Sequence, residues 1–504
     1  MGLGPLALDR PDATEQLRST LAQIGYTGEA IRGLLGEDAY QSRSSDVPVH
    51  LRRLPAGTPL ATAIKLFFPG CTVQEADVER ALSPLGVARL RDLGLVSGND
   101  GVVATVRLVP HAELLLAGNR YTDEPGGTPH DYVATVTAPS AILATLTVRQ
   151  PVRTTLDVGT GSGVQALWAA RHSERVVAVD INRRALNIAA FNAQLNGVHN
   201  VEFRQGSMFE PVGDERFDLI VSNAPYVVSP DSRYAYRDGG LESDVFCERL
   251  VRGAIDHLED GGFAQLLISW LRRGDDWAAR PRAWVDGGDC DCWLLLGAER
   301  DPVTHAALWN DELRGDVAAF GDTLDRWVTY LRRLEADAVL EGAVILQRGT
   351  GRRHWFRADR IPAGRPEPAA DHVERVFSNQ RLLIDLDDEA LLGQRLRLVE
   401  RTRIEQELHC GDGGYVVDAM TLALEEGLGF RAGMDQRTAA LVPFLDGTHS
   451  LGAAIDAAPD TLGLERDDRD AFAQGAVAVV REMLELGFVA AVPSRSRPVA
   501  SSAR

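Results

Sequence analysis

The chain has 504 residues, 45% of them apolar and 25% charged, and a formal charge of −19, the profile of a globular protein of two to four domains. No apolar run reaches the ~18 residues of a membrane span, and MGLGPLALDRPDATEQ fits neither a secretory signal nor a myristoylation site. Cys71, Cys247, Cys290, Cys292 and Cys410 are too few and too scattered for a disulfide framework or a zinc knuckle, so a reduced cytoplasm and no metal are expected.

Residues 13–122 read as a small helical domain of winged-helix type. EADVERALSPLGVARLRDLGLV has helical apolar spacing, SGND turns the chain, and GVVATVRLV reads as a strand. DEPGGTPHD (123–131) is loop-like and marks a boundary. Residues 132–358 alternate strand and helix. TTLDV, VVAVDI, VEFRQG, FDLIVSN, FAQLLIS, CDCWLLLG and GAVILQR are seven strand candidates, and DVFCERLVRGAIDHL carries a helical face at 246, 250, 254 and 258. Such alternation predicts an α/β fold with a mainly parallel sheet covered on both faces. IPAGRPEPAAD (361–371) is a Pro-rich linker. Residues 372–493 form a second small, mainly helical domain, also of winged-helix type. Its VREMLELGFV echoes VARLRDLGLV, although two Gly-capped helices would look the same. SRSRPVASSAR closes the chain as a disordered tail.

Charge is uneven along this layout. Residues 1–110 hold 11 basic and 12 acidic groups, whereas 371–493 hold 11 and 23, which would repel a phosphate backbone. Lys65 is the only lysine, so the arginine bias reads as genome composition and not as recognition chemistry.

LDVGTGSGVQAL (156–167) joins a strand to a helix. Gly159, Gly161 and Gly163 allow a tight turn and a close backbone approach to a ligand. Asp157 closes the strand before the loop, and Asp180 ends the next strand, where a carboxylate can accept from both hydroxyls of a ribose. The alternative for Asp180 is a helix N-cap. SNAPYVVS (222–229) follows the fourth strand. The Asn223 side-chain oxygen and the Ala224 carbonyl can each accept one N–H of a planar amide or amine. Pro225 stiffens the turn and Tyr226 offers a stacking face. Catalysis there would be positioning and desolvation, with no nucleophilic side chain. By itself Asn-Ala-Pro could be a plain turn; its pairing with the glycine loop at matching strand ends favours chemistry. His409–Cys410 reads as part of a turn, and Trp270, Trp277, Trp284 and Trp293 as core or cleft wall.

On these motifs residues 132–348 resemble the class I S-adenosylmethionine-dependent methyltransferases, in the branch with an (Asn/Asp)-Pro-Pro-(Tyr/Phe) motif. That branch holds release-factor glutamine N5-methyltransferases and N-methyltransferases of adenine and of ribosomal-RNA guanine. YRDGG (236–240) and DYVATVTAPSAILATLTVR resemble the glutamine-methylating members most, and the three-part layout resembles actinobacterial proteins of methyltransferase type. The resemblance implies a Rossmann-like seven-stranded sheet of order 3-2-1-4-5-7-6. It implies S-adenosylmethionine as cofactor, its methionine part near Asp157, Gly159 and Gly161, its ribose at Asp180, and its adenine beside Gly206, Ser207 and Met208, with Gly163, Ile181 and Asn223 also at the cofactor. Ala224 departs from the family's proline.

Three functional readings remain open, and a small-molecule acceptor stays open beside them. The favoured one is an N-methyltransferase acting on a protein glutamine, with a translation release factor as partner. The second is an N-methyltransferase of an RNA or DNA base, disfavoured by the charge. The third is a non-catalytic S-adenosylmethionine-binding protein.

Overall fold

The computed structural model describes residues 5–41, 44–120, 129–231, 241–362, 368–411, 414–462 and 466–492. YRDGG (236–240), the tail and the centre of the Pro-rich linker lie outside the described residues, as does most of DEPGGTPHD. The chain divides into two compact units, residues 1–144 with 149–360, and residues 145–148 with 361–504.

The first unit begins with six α-helices, α1 (Pro11–Gln23), α2 (Gly28–Leu35), α3 (Val47–Arg53), α4 (Pro59–Phe67), α5 (Glu75–Ala81) and α6 (Gly86–Asp92). Four short strands follow: β1 (Val96–Ser97), β2 (Val103–Ala104), β3 (Arg107–His111) and β4 (Leu114–Gly118). The segment that reads as one helical stretch at 75–96 is two helices, because Pro84 lacks the N–H that would continue the first. GVVATVRLV likewise divides, β2 pairing with β1 and β3 with β4.

After α7 (Ala138–Leu146) come β5 (Val152–Val158), α8 (Val164–Ala169), β6 (Ser173–Asp180), α9 (Arg183–Leu195), β7 (Val201–Gln205) and β8 (Phe217–Ser222). Then follow α10 (Val245–His257), β9 (Leu258–Arg272), α11 (Ala279–Val285), β10 (Cys290–Arg300), α12 (Pro302–Trp309), α13 (Val317–Arg333), β11 (Ala338–Arg348) and β12 (Phe356–Arg360). The sheet order is β12-β10-β11-β9-β8-β5-β6-β7, with β11 antiparallel to both neighbours and the other pairings parallel. All seven expected strands are present in the expected order. An eighth, β12, joins alongside β10; its half-exposed FRADR carries no apolar run to announce it.

The central strands bury residues on both faces, as a covered parallel sheet requires: Leu156, Val158, Val177, Ile220 and Leu266 lie in one cluster and Val176 and Ala178, on the opposite face, in another. Helix α9 turns Ala185, Ile188, Phe191 and Leu195 into a core shared with Leu17 and Leu21 of α1. It also offers asparagine amides to the N-terminal backbone. Asn187 Oδ1 accepts from Leu6 N at 2.8 Å, Asn192 Oδ1 from Ala117 N at 2.7 Å, and Asn196 Oδ1 from Leu115 N at 2.9 Å. Asn192 and Asn196, one helical turn apart, thereby satisfy alternate amides of β4 as a neighbouring strand would.

The second unit contains α14 (Ala370–Asp385), α15 (Asp388–Leu392), β13 (Arg395–Leu398), β14 (Thr402–Gly411), β15 (Gly414–Leu424), β16 (Arg431–Met434), α16 (Gln436–Leu441), β17 (Asp446–Ser450), α17 (Leu451–Leu462), α18 (Arg466–Glu485) and β18 (Val489–Ala491). Its strands form two three-stranded sheets, β17-β13-β18 and β14-β15-β16. His409 and Cys410 sit in β14 and not in a turn, with His409 Nδ1 2.7 Å from Asp418 Oδ1 across the hairpin. The two Leu-Gly steps share one local geometry: Gly94 (φ +76) and Gly487 (φ +75) end α6 and α18 in the left-handed region, and a strand follows each. Among the described residues no helix is long and apolar enough to cross a membrane.

Candidate active site

Strand β5 pairs with β6 on one side and β8 on the other, so the order of the chain across the sheet reverses there. Ligands of open α/β sheets bind outside the carboxyl ends of the strands at such a point. Val158 and Ser222 are register partners, and Ser222 Oγ donates to Val158 O at 2.8 Å. The loops starting at Gly159 and Asn223 therefore leave the sheet side by side. A cavity of about 850 Å³ opens at this point, a size typical of ligand sites.

The glycine loop is held by close packing. Gly159 (φ +74), Gly161 (φ +56) and Gly163 (φ +84) are all left-handed. A Cβ on Gly159 would lie 2.8 Å from Ala224 Cβ, and one on Gly163 3.0 Å from Ala189 Cβ, whereas one on Gly161 would meet no protein atom within 4 Å. Asp157, buried beneath the loop and not on the cavity wall, accepts at Oδ2 from Thr160 Oγ1 (2.6 Å) and Ala166 N (3.0 Å). Its Oδ1 is buried with no hydrogen-bond partner. Burial pushes the Asp157 carboxyl up to about 7. The two hydrogen bonds oppose that rise and the Asp180 charge adds to it.

Asp180 lies on the cavity wall and braces the loop. Its Oδ2 accepts from Gly161 N at 2.9 Å and its Oδ1 from Asn182 N at 2.8 Å. Burial raises its pKa, against those backbone bonds. The N-cap of α9 is Asn182, whose side chain accepts from Arg184 N at 2.9 Å. Ile181, 64% exposed, lines the same end of the cavity with Ser207 and Met208, and Met208 holds an uncommon left-handed backbone (φ +50).

The other end begins at Asn223, whose Nδ2 donates to Ser140 Oγ at 3.1 Å. Ser140 Oγ is in turn 2.9 Å from Thr137 Oγ1. With Nδ2 engaged, Oδ1 is the atom of the amide left for a ligand N–H. Ala224 is buried against Gly159, and its N–H reaches Ser222 Oγ at 3.3 Å. Pro225 and Tyr226 continue the wall. The Tyr226 carbonyl accepts from Ser269 Oγ, and burial, reinforced by the Glu341 carboxylate, pushes its phenol up. Every residue expected to form the site lines this cavity except Asp157, below the loop, and Gly163, against α9.

Sequence reasoning missed Ser140, Phe246 and Trp309, which also line it. The Thr137/Ser140 pair sits inside TAPS at the start of α7 and could have been read as a helix start. Trp309 has no local signal, because it arrives from far along the chain.

A loop this open at Gly161, flanked by a carboxylate with lone pairs to spare, fits S-adenosylmethionine: the diol has acceptors at Asp180, and the methionine part has a backbone it can approach closely. Comparison with known proteins agrees. Residues 134–272 match the methyltransferase small domain. Two domains of unknown function flank it, DUF7059 at residues 23–107 and DUF7782 at residues 374–491. The methyltransferase segment is similar to the ribosomal protein uL3 glutamine methyltransferase of Bradyrhizobium diazoefficiens, 36% identical over 159 residues, 28% of this chain and 49% of that one. It is 40% identical over 131 residues to the release factor glutamine methyltransferase of Xylella fastidiosa (23% of this chain, 47% of that one). To the enzyme of the same name from Aliivibrio fischeri it is 43% identical over 122 residues (23% and 43%). The chain thus spans about half the length of the curated relatives it matches.

Proposed function

We propose that this protein is an S-adenosylmethionine-dependent N-methyltransferase whose acceptor is a glutamine side-chain amide of a protein. The observation that carries the reading is Asn223, oriented by Ser140, beside the glycine loop at register-paired strand ends. The names of the relatives above, glutamine methyltransferases of a ribosomal protein or of a release factor, support the choice of acceptor; the partner in this reading is a translation release factor, met in the cytoplasm. The helical segments 13–122 and 372–493 would serve its docking.

When bound, S-adenosylmethionine supplies an electrophilic methyl on sulfur. Asp180 would accept from the ribose hydroxyls, Gly159 and Gly161 would admit the methionine part, and Gly206, Ser207 and Met208 would lie by the adenine, with Ile181 at the same end of the cavity. Asn223 Oδ1 and the Ala224 carbonyl accept the two N–H groups of the substrate amide, fixing its plane and aiming its nitrogen. Tyr226 and its apolar surroundings keep water away from that nitrogen. Transfer to that nitrogen would break the methyl–sulfur bond as the C–N bond forms, and the amide proton lost would depart along one of these hydrogen bonds toward solvent, because neither carbonyl oxygen is basic enough to keep it. Positioning of this kind is worth several orders of magnitude in rate.

The test is to incubate the purified protein with methyl-labelled S-adenosylmethionine and a hypomethylated cell extract, followed by protease or ribonuclease. Label sensitive to protease alone, mapping to a glutamine, is the expected result. Label sensitive to ribonuclease alone would overturn the reading in favour of a nucleic-acid base.

A further inference from the structure

Strands β10 and β11 are antiparallel neighbours over nearly their whole length. Such a pair needs only a tight turn between its strands. Here residues 301–337 intervene instead, folding as α12 and α13. The sheet does not require them, and their contacts show where they act. His305 Nε2 lies 3.0 Å from Val228 O, Trp327 Nε1 donates to Asp231 Oδ2 at 2.9 Å, and Arg326 pairs with the same carboxylate. Ala306, Trp327 and Val328 pack on Val227, with Trp309 against the same cluster. The insert clamps the segment that follows Asn223–Tyr226.

It also delivers Trp309 to the cavity wall. The indole N–H of Trp309 donates to Glu341 Oε1 at 3.3 Å, and Glu341 Oε2 pairs with Arg300 at 2.7 Å, so the ring is oriented from behind. Outside the cavity the insert exposes apolar side chains: Val303 is 51% exposed, Leu308 47% and Val317 82%. Residues 301–333 carry six acidic and four basic groups, a poor match for a phosphate backbone. An aromatic wall residue on a slightly acidic insert that also exposes apolar side chains suits an extended polypeptide.

We infer that the α12–α13 insert is the acceptor-recognition element, with Trp309 as the specificity-determining wall that receives the side chain carrying the target amide and Leu308 on the rim that receives the flanking peptide. This rests on the glutamine reading above. The experiment uses the full chain, labelled S-adenosylmethionine, and a synthetic peptide made after the labelled site mapped from the extract, with glutamine or asparagine at that position. Trp309→Ala is expected to raise KM for the glutamine peptide about tenfold and to narrow the glutamine-over-asparagine preference. It should leave kcat within about threefold and cofactor affinity within about twofold. Trp309→Phe should recover most of the KM. Leu308→Asp, at an exposed position where folding is not at stake, should also raise KM. Glutamine labelling with KM and preference unchanged in Trp309→Ala and Leu308→Asp would overturn this inference alone. Label mapping to RNA would overturn it together with the glutamine reading.

Discussion

The proposed cofactor end and the proposed acceptor end of the cavity meet at one register pair, Val158 and Ser222, yet they are made of different material. At the cofactor end the shape belongs to the backbone: three left-handed glycines, two of them against neighbouring Cβ atoms, with a carboxylate bracing Gly161 N. At the acceptor end the shape belongs to side chains brought from distant segments. Ser140 comes from before β5, Phe246 from α10 and Trp309 from the insert after β10. A backbone cradle is preorganised by local sequence, whereas a side-chain cage depends on several elements arriving together.

Separating the two ends by mutation gives the largest expected effects. On the proposed function, Asn223→Ala removes one acceptor of the substrate amide and should lower kcat by about 10²–10³-fold, the usual loss for an oriented hydrogen-bonding group at a reacting centre. Calorimetric cofactor affinity should stay within about twofold. Asp180→Ala should do the reverse in origin. It removes charge-assisted bonds worth about 1.5–3 kcal/mol, so Kd for the cofactor should rise about 10–100-fold. If both variants lost cofactor binding equally, the division into two ends would be wrong.

Within the glycine loop a finer contrast is available. Gly163→Ala drives a methyl toward Ala189 Cβ and adopts a φ that L-residues avoid, so it should cost about 2–3 kcal/mol of stability in urea unfolding. Gly161→Ala meets no protein atom and should cost only the backbone strain, about 1 kcal/mol. Its methyl occupies ligand space instead, so its main effect should appear in cofactor affinity. Equal stability losses at the two positions would deny that Gly161 faces the ligand.

These contrasts explain what could be read in advance. The seven strands, the glycine loop, Asp180 and Asn223 were legible because each is a local pattern at a strand end. Ser140 was within a quoted segment but carried no mark of its own, since a serine acquires a role only when Asn223 comes within 3.1 Å. Trp309 was invisible for the same reason on a longer scale, 86 positions after Asn223 in sequence. β12 escaped because half-exposed edge residues show neither a clean alternation nor an apolar run. The asparagine ladder of α9 escaped because polar residues at helical spacing usually face water.

A pH measurement probes the loop from below. The ordinary Asp pKa is about 3.9, while burial pushes Asp157 up to about 7 in the folded chain. Between those values the folded state holds a proton that the unfolded state has released. Stability must therefore fall as pH rises from about 4 to about 7 and flatten above. Asp180, also raised by burial, adds to the slope in the same direction. Urea midpoints across this range should fall less steeply in Asp157→Asn, which cannot ionise. An unchanged slope would mean that Asp157 is charged throughout.

The smallest effect is expected at Ala224, where the sequence departs from the Asn-Pro-Pro-Tyr pattern it resembles. Ala224→Pro restores the usual residue. The change removes the Ala224 N–H, but that group makes only a 3.3 Å bond to Ser222 Oγ, so the loss should be about 0.5–1 kcal/mol at most. The carbonyl needed for the substrate remains, and a proline keeps a Cβ for the contact over Gly159. A following proline also favours extended backbone at Asn223, which leaves directly from β8. Clamped by Gly159 below and by the insert's grip on residues 227–231, the turn is already stiff without the second proline. Cofactor affinity should be unchanged and kcat should move by less than about threefold. A tenfold rise in kcat would show that backbone slack at Ala224 limits transfer. The acceptor end would then depend on its backbone as much as the cofactor end does.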